Sequence, residues 1–172
     1  PNYKSSVVSI NSLANTTLIN DSISNQVYKL NPKTGVKAYI TPEVGTIWLS
    51  ASSGDGEIII GTNYNEENAT MGLENGIGIG SAGITAFKLN SDGSFQELGN
   101  YYESSPCSWN SATTCERYSM GSIANDISSD SSTIVGTLMM LDKGALSIGD
   151  LVKALGFEAF IWDENNGYKV LG

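Results

Sequence analysis

The sequence predicts an all-β fold of three four-stranded antiparallel meanders, arranged like the blades of a β-propeller that is incomplete or completed by a partner. Two repeated motifs and the composition support this prediction. The chain has 172 residues, of which 19 are glycine and only 16% are charged. Such a chain is rich in turn formers and poor in long helix-forming runs. Its length is enough for a core, so we interpret residues 1–172 as a single β-repeat domain.

A hairpin motif occurs three times. Its most complete copy, residues 159–172, has a β-favouring run, a turn at residues 163–167 and a second β-favouring run ending in Leu-Gly. Residues 86–99 repeat the pattern, and residues 27–40 are a third copy. A single hairpin of this size is marginally stable at best, so its repetition predicts stacked or radially arranged sheets.

A second motif precedes two of the hairpins. Ser53-x-Asp55 is followed by Ile-Ile-Gly-Thr, and Ser128-x-Asp130 is followed at the same spacing by Ile-Val-Gly-Thr. A Ser-x-Asp sequence favours a turn in which the side chain accepts hydrogen bonds from backbone N–H groups just ahead of it. The apolar run after each turn is typical of a buried strand.

These motifs divide the chain into three units, residues 5–41, 46–99 and 121–172. The predicted strands of the three units are residues 6–10, 16–20, 26–30 and 36–40; 47–51, 57–62, 84–89 and 94–98; and 122–127, 133–140, 158–162 and 168–171. Two insertions, residues 63–83 and 141–157, separate the second and third strands of the later units. The second insertion includes a short helix predicted over residues 151–155, capped by Asp150. Residues 100–120 are predicted to form a long loop.

The charge excludes several classes of partner. The formal net charge is −9, whereas binding to nucleic acid phosphates requires a basic surface. The same charge disfavours an anionic membrane surface, and no apolar run approaches the ~20 residues that cross a bilayer. We therefore expect neither nucleic acid binding nor membrane insertion. Because the sequence begins at Pro1 without Met, we also expect a processed N-terminus or an excised fragment.

Cys107 and Cys115 are the only cysteines, and the chain has no histidine. Two cysteines without histidine cannot supply the four ligands of a structural zinc site, so a disulfide is the better interpretation. A disulfide indicates an extracellular or periplasmic location. Asp126, Asp130 and Asp142 leave calcium open as an alternative, but no EF-hand loop is present, and we expect no metal and no cofactor.

The predicted loop carries the candidate binding residues. Trp109 lies between the cysteines, and aromatic side chains on a constrained loop are good binding anchors. The other candidates are Tyr101, Tyr102 and Tyr118, with Glu103, Asn110 and Arg117 for polar contacts. The alternative is that Trp109 folds back as a lid on the core. Trp48 and Trp162 lie inside strand patterns and are expected in the core.

The sequence does not favour an enzyme. Without histidine, neither a Ser-His-Asp nor a Cys-His site can be built. Paired carboxylates for glycoside hydrolysis could meet in space. Asp163 and Glu164, however, are adjacent in a turn and project in different directions, so they make a poor pair.

The motifs resemble those of the bacterial HAF-repeat proteins. The shared string is Ser-x-Asp-x-x-x-Ile-Val-Gly, followed by Ala-Phe-Ile-Trp-Asp-x-x-x-Gly and then Leu-Gly, over residues 47–62, 86–99 and 123–172. The chain departs from the family at the histidine before Ala-Phe, which is Thr85 in one copy and Glu158 in the other. The resemblance implies a secreted or cell-surface protein, in some members autotransporter-like, with propeller-like repeats. It implies no catalytic residues.

The function predicted from the sequence is therefore a secreted or surface-displayed, non-catalytic module for binding or for structural and adhesive interactions. Its ligand would be a glycan or a protein. We expect self-association, or the remainder of a parent chain, to cover the strand edges of the terminal units, because open edges invite pairing. The alternative is that the three sheets close into a prism. Two alternatives remain: a subunit of an extracellular polymer joined by strand exchange, and an extracellular glycan-active enzyme.

Overall fold

The computed structural model describes residues 6–10, 16–21, 24, 26–41, 45–74, 77–107, 110–143 and 155–171, which form β-strands joined by turns. In chain order the strands are β1 (Ser6–Ile10), β2 (Thr17–Asp21), β3 (Gln26–Leu30), β4 (Lys37–Ile40), β5 (Thr46–Ser52), β6 (Ile59–Glu74), β7 (Ile77–Leu89), β8 (Phe95–Glu97), β9 (Tyr102–Cys107), β10 (Asn110–Ile127), β11 (Ile134–Lys143), β12 (Leu155–Asp163) and β13 (Gly167–Val170). No helix among the described residues is long and apolar enough to cross a membrane.

The strands form three antiparallel sheets in chain order. The first sheet has the strand order β1-β2-β3-β4, the second β5-β6-β7-β8, and the third β13-β12-β11-β10-β9. Strands that are neighbours in sequence are therefore neighbours in the sheet, as in a meander. The predicted fold class is confirmed: the chain is all-β and consists of blade-like antiparallel meanders. The third sheet differs from the prediction by its fifth strand, β9, at one edge.

Two segments predicted outside the sheets are strands. Residues 63–83 were predicted as an insertion, but residues 63–74 belong to β6 and residues 77–83 belong to β7, and these strands pair as far as Glu74 and Ile77. Residues 100–120 were predicted as a loop, but most of them form β9 and the first part of β10. In both cases backbone hydrogen bonds to the partner strand outweigh a polar, turn-rich composition. Residues 151–154 of the predicted helix lie outside the described residues, and Leu155 begins β12.

Apolar side chains pack between consecutive sheets. The buried cluster between the first and second sheets consists of Leu18, Val27, Ile47, Leu49, Ile59 and Phe87. The cluster between the second and third sheets consists of Ala51, Ile60, Ala86, Leu98, Ala124, Ile127, Ile134, Leu138, Met140, Phe160 and Trp162. Because side chains alternate between the two faces of a strand, neighbouring residues such as Ile59 and Ile60 belong to different clusters. The second sheet thus packs on the first, and the third packs on the second.

The two repeated motifs pair with each other inside a sheet. Gly61 lies opposite Phe87, and Gly136 lies opposite Phe160. A Cβ atom on Gly61 would lie 2.7 Å from the Phe87 ring, and one on Gly136 would lie 2.6 Å from the Phe160 ring. Both rings are fully buried. A backbone carbonyl oxygen of the preceding strand is closer still, at 2.1 Å in both copies. The glycine after the apolar run is therefore required because a carbonyl group and an aromatic ring together leave no room for a side chain.

The Ser-x-Asp segments form two matching turns. The Ser53 hydroxyl donates to Asp55 Oδ1 at 2.6 Å and accepts the backbone N–H of Ile58 at 3.0 Å. In the second copy, Ser128 and Asp130 make the same contacts, with Thr133 in the place of Ile58. The predicted turn is therefore confirmed in both copies.

The structure separates the two tryptophans that were expected in the core. Trp162 is buried between the second and third sheets, as predicted. The prediction was wrong for Trp48, which is 47% exposed. Ile47 and Leu49 face the first sheet, so the intervening Trp48 faces the other way, where it is incompletely covered.

Candidate binding surface

The candidate residues lie on the hairpin of β9 and β10 at the edge of the third sheet. Tyr118 is opposite Tyr102, and Arg117 is opposite Glu103. Because alternate residues of a strand point to opposite faces, this register divides the candidates into two groups. Arg117 and Glu103 share one face, and Tyr102 and Tyr118 share the other. The sequence alone grouped them in one loop and could not show this division.

The first face holds a network of charged groups. The Tyr101 hydroxyl donates to Glu103 Oε2 at 2.7 Å, and Arg117 Nη1 lies 3.6 Å from the same oxygen. The other end of the guanidinium donates to Glu158 Oε1, on β12. Burial, followed by the hydrogen bond to Glu103, raises the pKa of Tyr101 to about 12. Arg117 therefore bridges two carboxylates from two different strands.

The second face presents an exposed aromatic ring. Tyr102 is 61% exposed, and its hydroxyl donates to Glu116 Oε1 at 3.1 Å. Tyr118 lies beside it in the register and is partly buried. This face combines an accessible ring with a carboxylate that orients its hydroxyl.

Sequence reasoning missed two members of these groups. Glu116 lies in the same hairpin, and the alternation of β10 could have identified it. Glu158 is 41 residues from Arg117, and no local pattern connects the two. Trp109 lies outside the described residues, and for Asn110 only the backbone, which pairs with Cys107, is described. The roles predicted for these two residues stay predictions.

The predicted disulfide lies in the same hairpin. Cys115 is partly buried on β10, opposite Ser105 on β9, and it is not a free thiol. The side chain of Cys107 lies outside the described residues. The pairing of Cys107 with Cys115 therefore stays a prediction.

Within the part of the chain that the structure describes, no three Asp, Glu, Cys or His side chains are grouped as metal ligands. The Asp130 carboxylate accepts hydrogen bonds from Ser128 and Ser132 of its own turn. These hydrogen bonds, with the Ser128 hydroxyl the largest contribution, lower the pKa of Asp130 to about 2. Its ionised form thus has a structural role in the turn.

Comparison with known proteins shows the fold but no family. No family model matches the chain, and no curated protein matches it significantly. The structure of a putative TolB from Agrobacterium tumefaciens is similar with a TM-score of 0.55 at 12% identity, over 98% of this chain and 49% of that one. TolB from Acinetobacter baumannii has a TM-score of 0.41 at 14% identity, over 97% of this chain and 43% of that one. The chain spans about half the length of these structures. The first likeness shows a propeller-like fold, and the resemblance to HAF repeats stays a prediction.

Proposed function

We propose that this propeller-like chain is a non-catalytic module that binds a protein ligand through the β9–β10 hairpin, at one edge of its third sheet. The observation that carries the proposal is the β9–β10 hairpin, which adds a fifth strand to the third sheet and presents Tyr102 with 61% of its surface exposed. Strands at a sheet edge and exposed aromatic rings are both features of protein-binding surfaces.

The side chains of the hairpin suit an interface. Tyrosine supplies a large contact area at a low loss of conformational entropy, and tyrosine and arginine are enriched at binding hot spots. Tyr102 is oriented by Glu116, and Arg117 is held by Glu103 and Glu158. Groups held in place before binding lose less entropy when a ligand is bound.

The same contacts argue against the glycan-active enzyme. A glycosidase needs one protonated carboxyl as general acid and a second carboxylate as base or nucleophile. Glu103 and Glu158 both contact the Arg117 guanidinium, and Glu103 also accepts the hydrogen bond of the Tyr101 hydroxyl. Both carboxylates are thus held by neighbouring side chains, so we propose that this pair has a structural role and does not catalyse hydrolysis.

We propose a location outside the cytoplasm, on the cell surface, secreted or in the periplasm. The predicted disulfide of Cys107 with Cys115 supports this location, because disulfides persist in oxidising compartments. The resemblance to HAF-repeat proteins supports it independently. Recovery of the protein in a cytosolic fraction with both thiols reduced would contradict it.

The test is a binding screen with matched variants. The protein is applied to an array of cell-envelope and extracellular proteins from its source and to a glycan array, alongside Tyr102→Ala and Tyr39→Ala. Tyr39 is a similarly exposed tyrosine, at 56%, on the first sheet. We expect a protein hit that weakens at least about tenfold with Tyr102→Ala, since truncation of a hot-spot residue costs about 2 kcal/mol or more, and that is unchanged with Tyr39→Ala. Binding confined to glycans, or equal loss in both variants, would contradict the proposal.

A further inference from the structure

The three sheets carry equivalent positions, which the strand registers identify. In the second strand of each meander, Leu18, Ile60 and Val135 lie opposite residues 29, 88 and 161 of the third strand. Two residues further along, Asn20, Thr62 and Thr137 lie opposite residues 27, 86 and 159. A last shared contact is the hydrogen bond that Leu98 N–H donates to Ala86 O, which Leu171 N–H repeats to Ala159 O, at 2.9 Å in both.

Burial at these positions changes abruptly in the third sheet. Leu18 and Ile60 are 0% exposed, whereas Val135 is 38% exposed. Leu98 is 7% exposed, whereas Leu171, its equivalent, is 51% exposed. The same holds for the alanines, since Ala86 is buried and Ala159 is exposed. The face that is buried in the first two sheets is therefore open in the third.

The following sheet is what covers this face. Leu18 packs in the cluster with residues of the second sheet, and Ile60 packs in the cluster with residues of the third. Polar contacts also join each of these faces to the sheet that follows it. The Asn20 side chain makes two hydrogen bonds of 3.1 Å with the Leu49 backbone, and the Ala86 N–H donates to Ser122 Oγ at 2.8 Å.

Lysines make a further contact of this kind. Lys29 donates to the carbonyl of Gly56 in the next sheet, and Lys88 pairs with Glu164 in the turn of the next hairpin. The equivalent residue of the third sheet is Ile161, which is only partly buried. The open face of the third sheet is consequently more apolar than the equivalent faces of the first two.

We propose that the outer face of the third sheet, formed by Val135, Thr137, Ala159, Ile161 and Leu171, binds a fourth sheet of the same repeat supplied by the same polypeptide. The two existing interfaces indicate this occupant, because the equivalent faces of the first and second sheets are each covered by the next unit of the chain. The chain also spans only 49% of the putative TolB structure that it resembles. These residues lie on β11, on β12 and just after β13, whereas the β9–β10 binding surface lies at the opposite edge of the same sheet.

The chemistry of the occupant follows from the existing interface. Its first strand presents a small hydroxyl or amide side chain to the Ala159 N–H, as Ser122 does to Ala86. Glu164 pairs with Lys88 in the existing interface. Because Ile161 takes the place of Lys88 in the third sheet, the fourth sheet presents an apolar group in the place of Glu164. A second copy of this chain is disfavoured because each copy carries a net charge of −9, and like charges oppose association.

The test measures the accessibility of the face with and without a fourth sheet. Val135→Cys is placed in the 172-residue chain and in an extended chain in which a copy of residues 100–172, with Glu164→Leu in the copy, follows Gly172. Labelling by a thiol reagent is located by peptide mass spectrometry, so other cysteines do not interfere. Thr137→Cys, on the same face, is the second position if Val135→Cys does not fold. Asn165→Cys, in an exposed turn, is the control.

We expect the labelling rate at Val135→Cys to fall at least about tenfold in the extended chain, the effect of a cover that opens rarely, while the control rate is unchanged. An unchanged rate at Val135→Cys would overturn the proposal. A rate that falls with protein concentration in the 172-residue chain, together with a doubled mass, would show that a second copy is the occupant and would overturn it as well.

Discussion

The backbone N–H of Gly54 donates a hydrogen bond of 3.0 Å to the carbonyl oxygen of Ser129. These residues are at equivalent places in the two Ser-x-Asp turns, one in the second unit and one in the third. The repeated turn thus has two roles: it closes its own loop through the serine hydroxyl, and it joins one unit to the next.

The Ser-x-Asp turns require a left-handed residue. Gly56 has φ 77° and the equivalent Ser131 has φ 66°, the one positive φ outside glycine among the described residues. A left-handed non-glycine residue is strained by ~1–2 kcal/mol, partly offset by the entropy that glycine loses on folding. We expect Ser131→Gly to stabilise the protein by up to about 1 kcal/mol and Gly56→Ser to destabilise it by about 1 kcal/mol.

Urea unfolding measures both changes. Ser129→Gly is the matched control, because Ser129 has no positive φ and glycine there only adds freedom to the unfolded chain. If Ser131→Gly lowered stability as much as Ser129→Gly, the strain at Ser131 would not exist.

The glycine beneath each aromatic ring cannot carry a side chain. A Cβ on Gly136 would lie 2.1 Å from the carbonyl oxygen of Ile123, a backbone atom with little room to move. We expect Gly136→Ala to destabilise the protein by about 2–3 kcal/mol, at the upper end for overpacking. Gly156→Ala, in the same sheet with no atom within 4 Å of its Cβ, should be neutral or slightly stabilising. Equal stabilities in chemical denaturation would refute this packing.

The turn aspartates make the stability depend on pH at the acid end. The hydrogen bond from Ser128 lowers the pKa of Asp130 to about 2, below the ~3.9 of an unfolded aspartate. The ionised Asp130 carboxylate therefore contributes fully to the stability of the folded protein above about pH 4, and this contribution is lost as the pH falls toward 2. The hydrogen bond from Ser53 lowers the pKa of Asp55 in the same direction.

Carboxyl carbon NMR titration checks these shifts directly. Ser128→Ala removes the largest cause of the shift, so the pKa of Asp130 should rise toward its ordinary value while that of Asp55 stays the same. An Asp130 titration in the ordinary range in the wild-type protein would contradict the turn geometry.

The predicted disulfide of Cys107 with Cys115 would stabilise the β9–β10 hairpin. If Cys107 and Cys115 are bonded, the bond closes a short loop and contributes on the order of 2–3 kcal/mol by chain-entropy arithmetic. Reduction should therefore lower the unfolding midpoint of the wild-type protein and leave Cys107→Ser/Cys115→Ser unchanged. Intact-mass measurement under non-reducing conditions that found two alkylated thiols would disprove the bond.

Local sequence signals predicted the regular part of the fold well. Residues 6–10 and 26–30 were predicted as strands with the bounds that the structure has, because turn residues flank short β-favouring runs. The turn at Asp163 was also predicted, because it depends on local hydrogen bonds: Asp163 Oδ1 accepts the backbone N–H groups of Asn165 and Asn166. Such features depend on a few adjacent residues.

The features that sequence reasoning missed depend on distant partners. The segment around Cys107 and Cys115 is rich in Ser and Thr and resembles a loop, but pairing between β9 and β10 makes it a hairpin. The contact of Arg117 with Glu158 requires β10 and β12 to lie on either side of β11. The exposure of Val135 depends on how the third sheet packs against the other sheets, which composition does not encode.

Site-specific photo-crosslinking shows directly whether the β9–β10 hairpin binds a protein ligand. A photoreactive phenylalanine analogue replaces Tyr102 in one preparation and Tyr39, exposed to a similar extent on the first sheet, in another. Both are irradiated with the same envelope and extracellular proteins. We expect a discrete protein adduct from the Tyr102 position that excess unlabelled wild-type protein abolishes, and none from the Tyr39 position. Adducts of equal yield from both positions, or from Tyr39 alone, would show that the hairpin is not the binding surface.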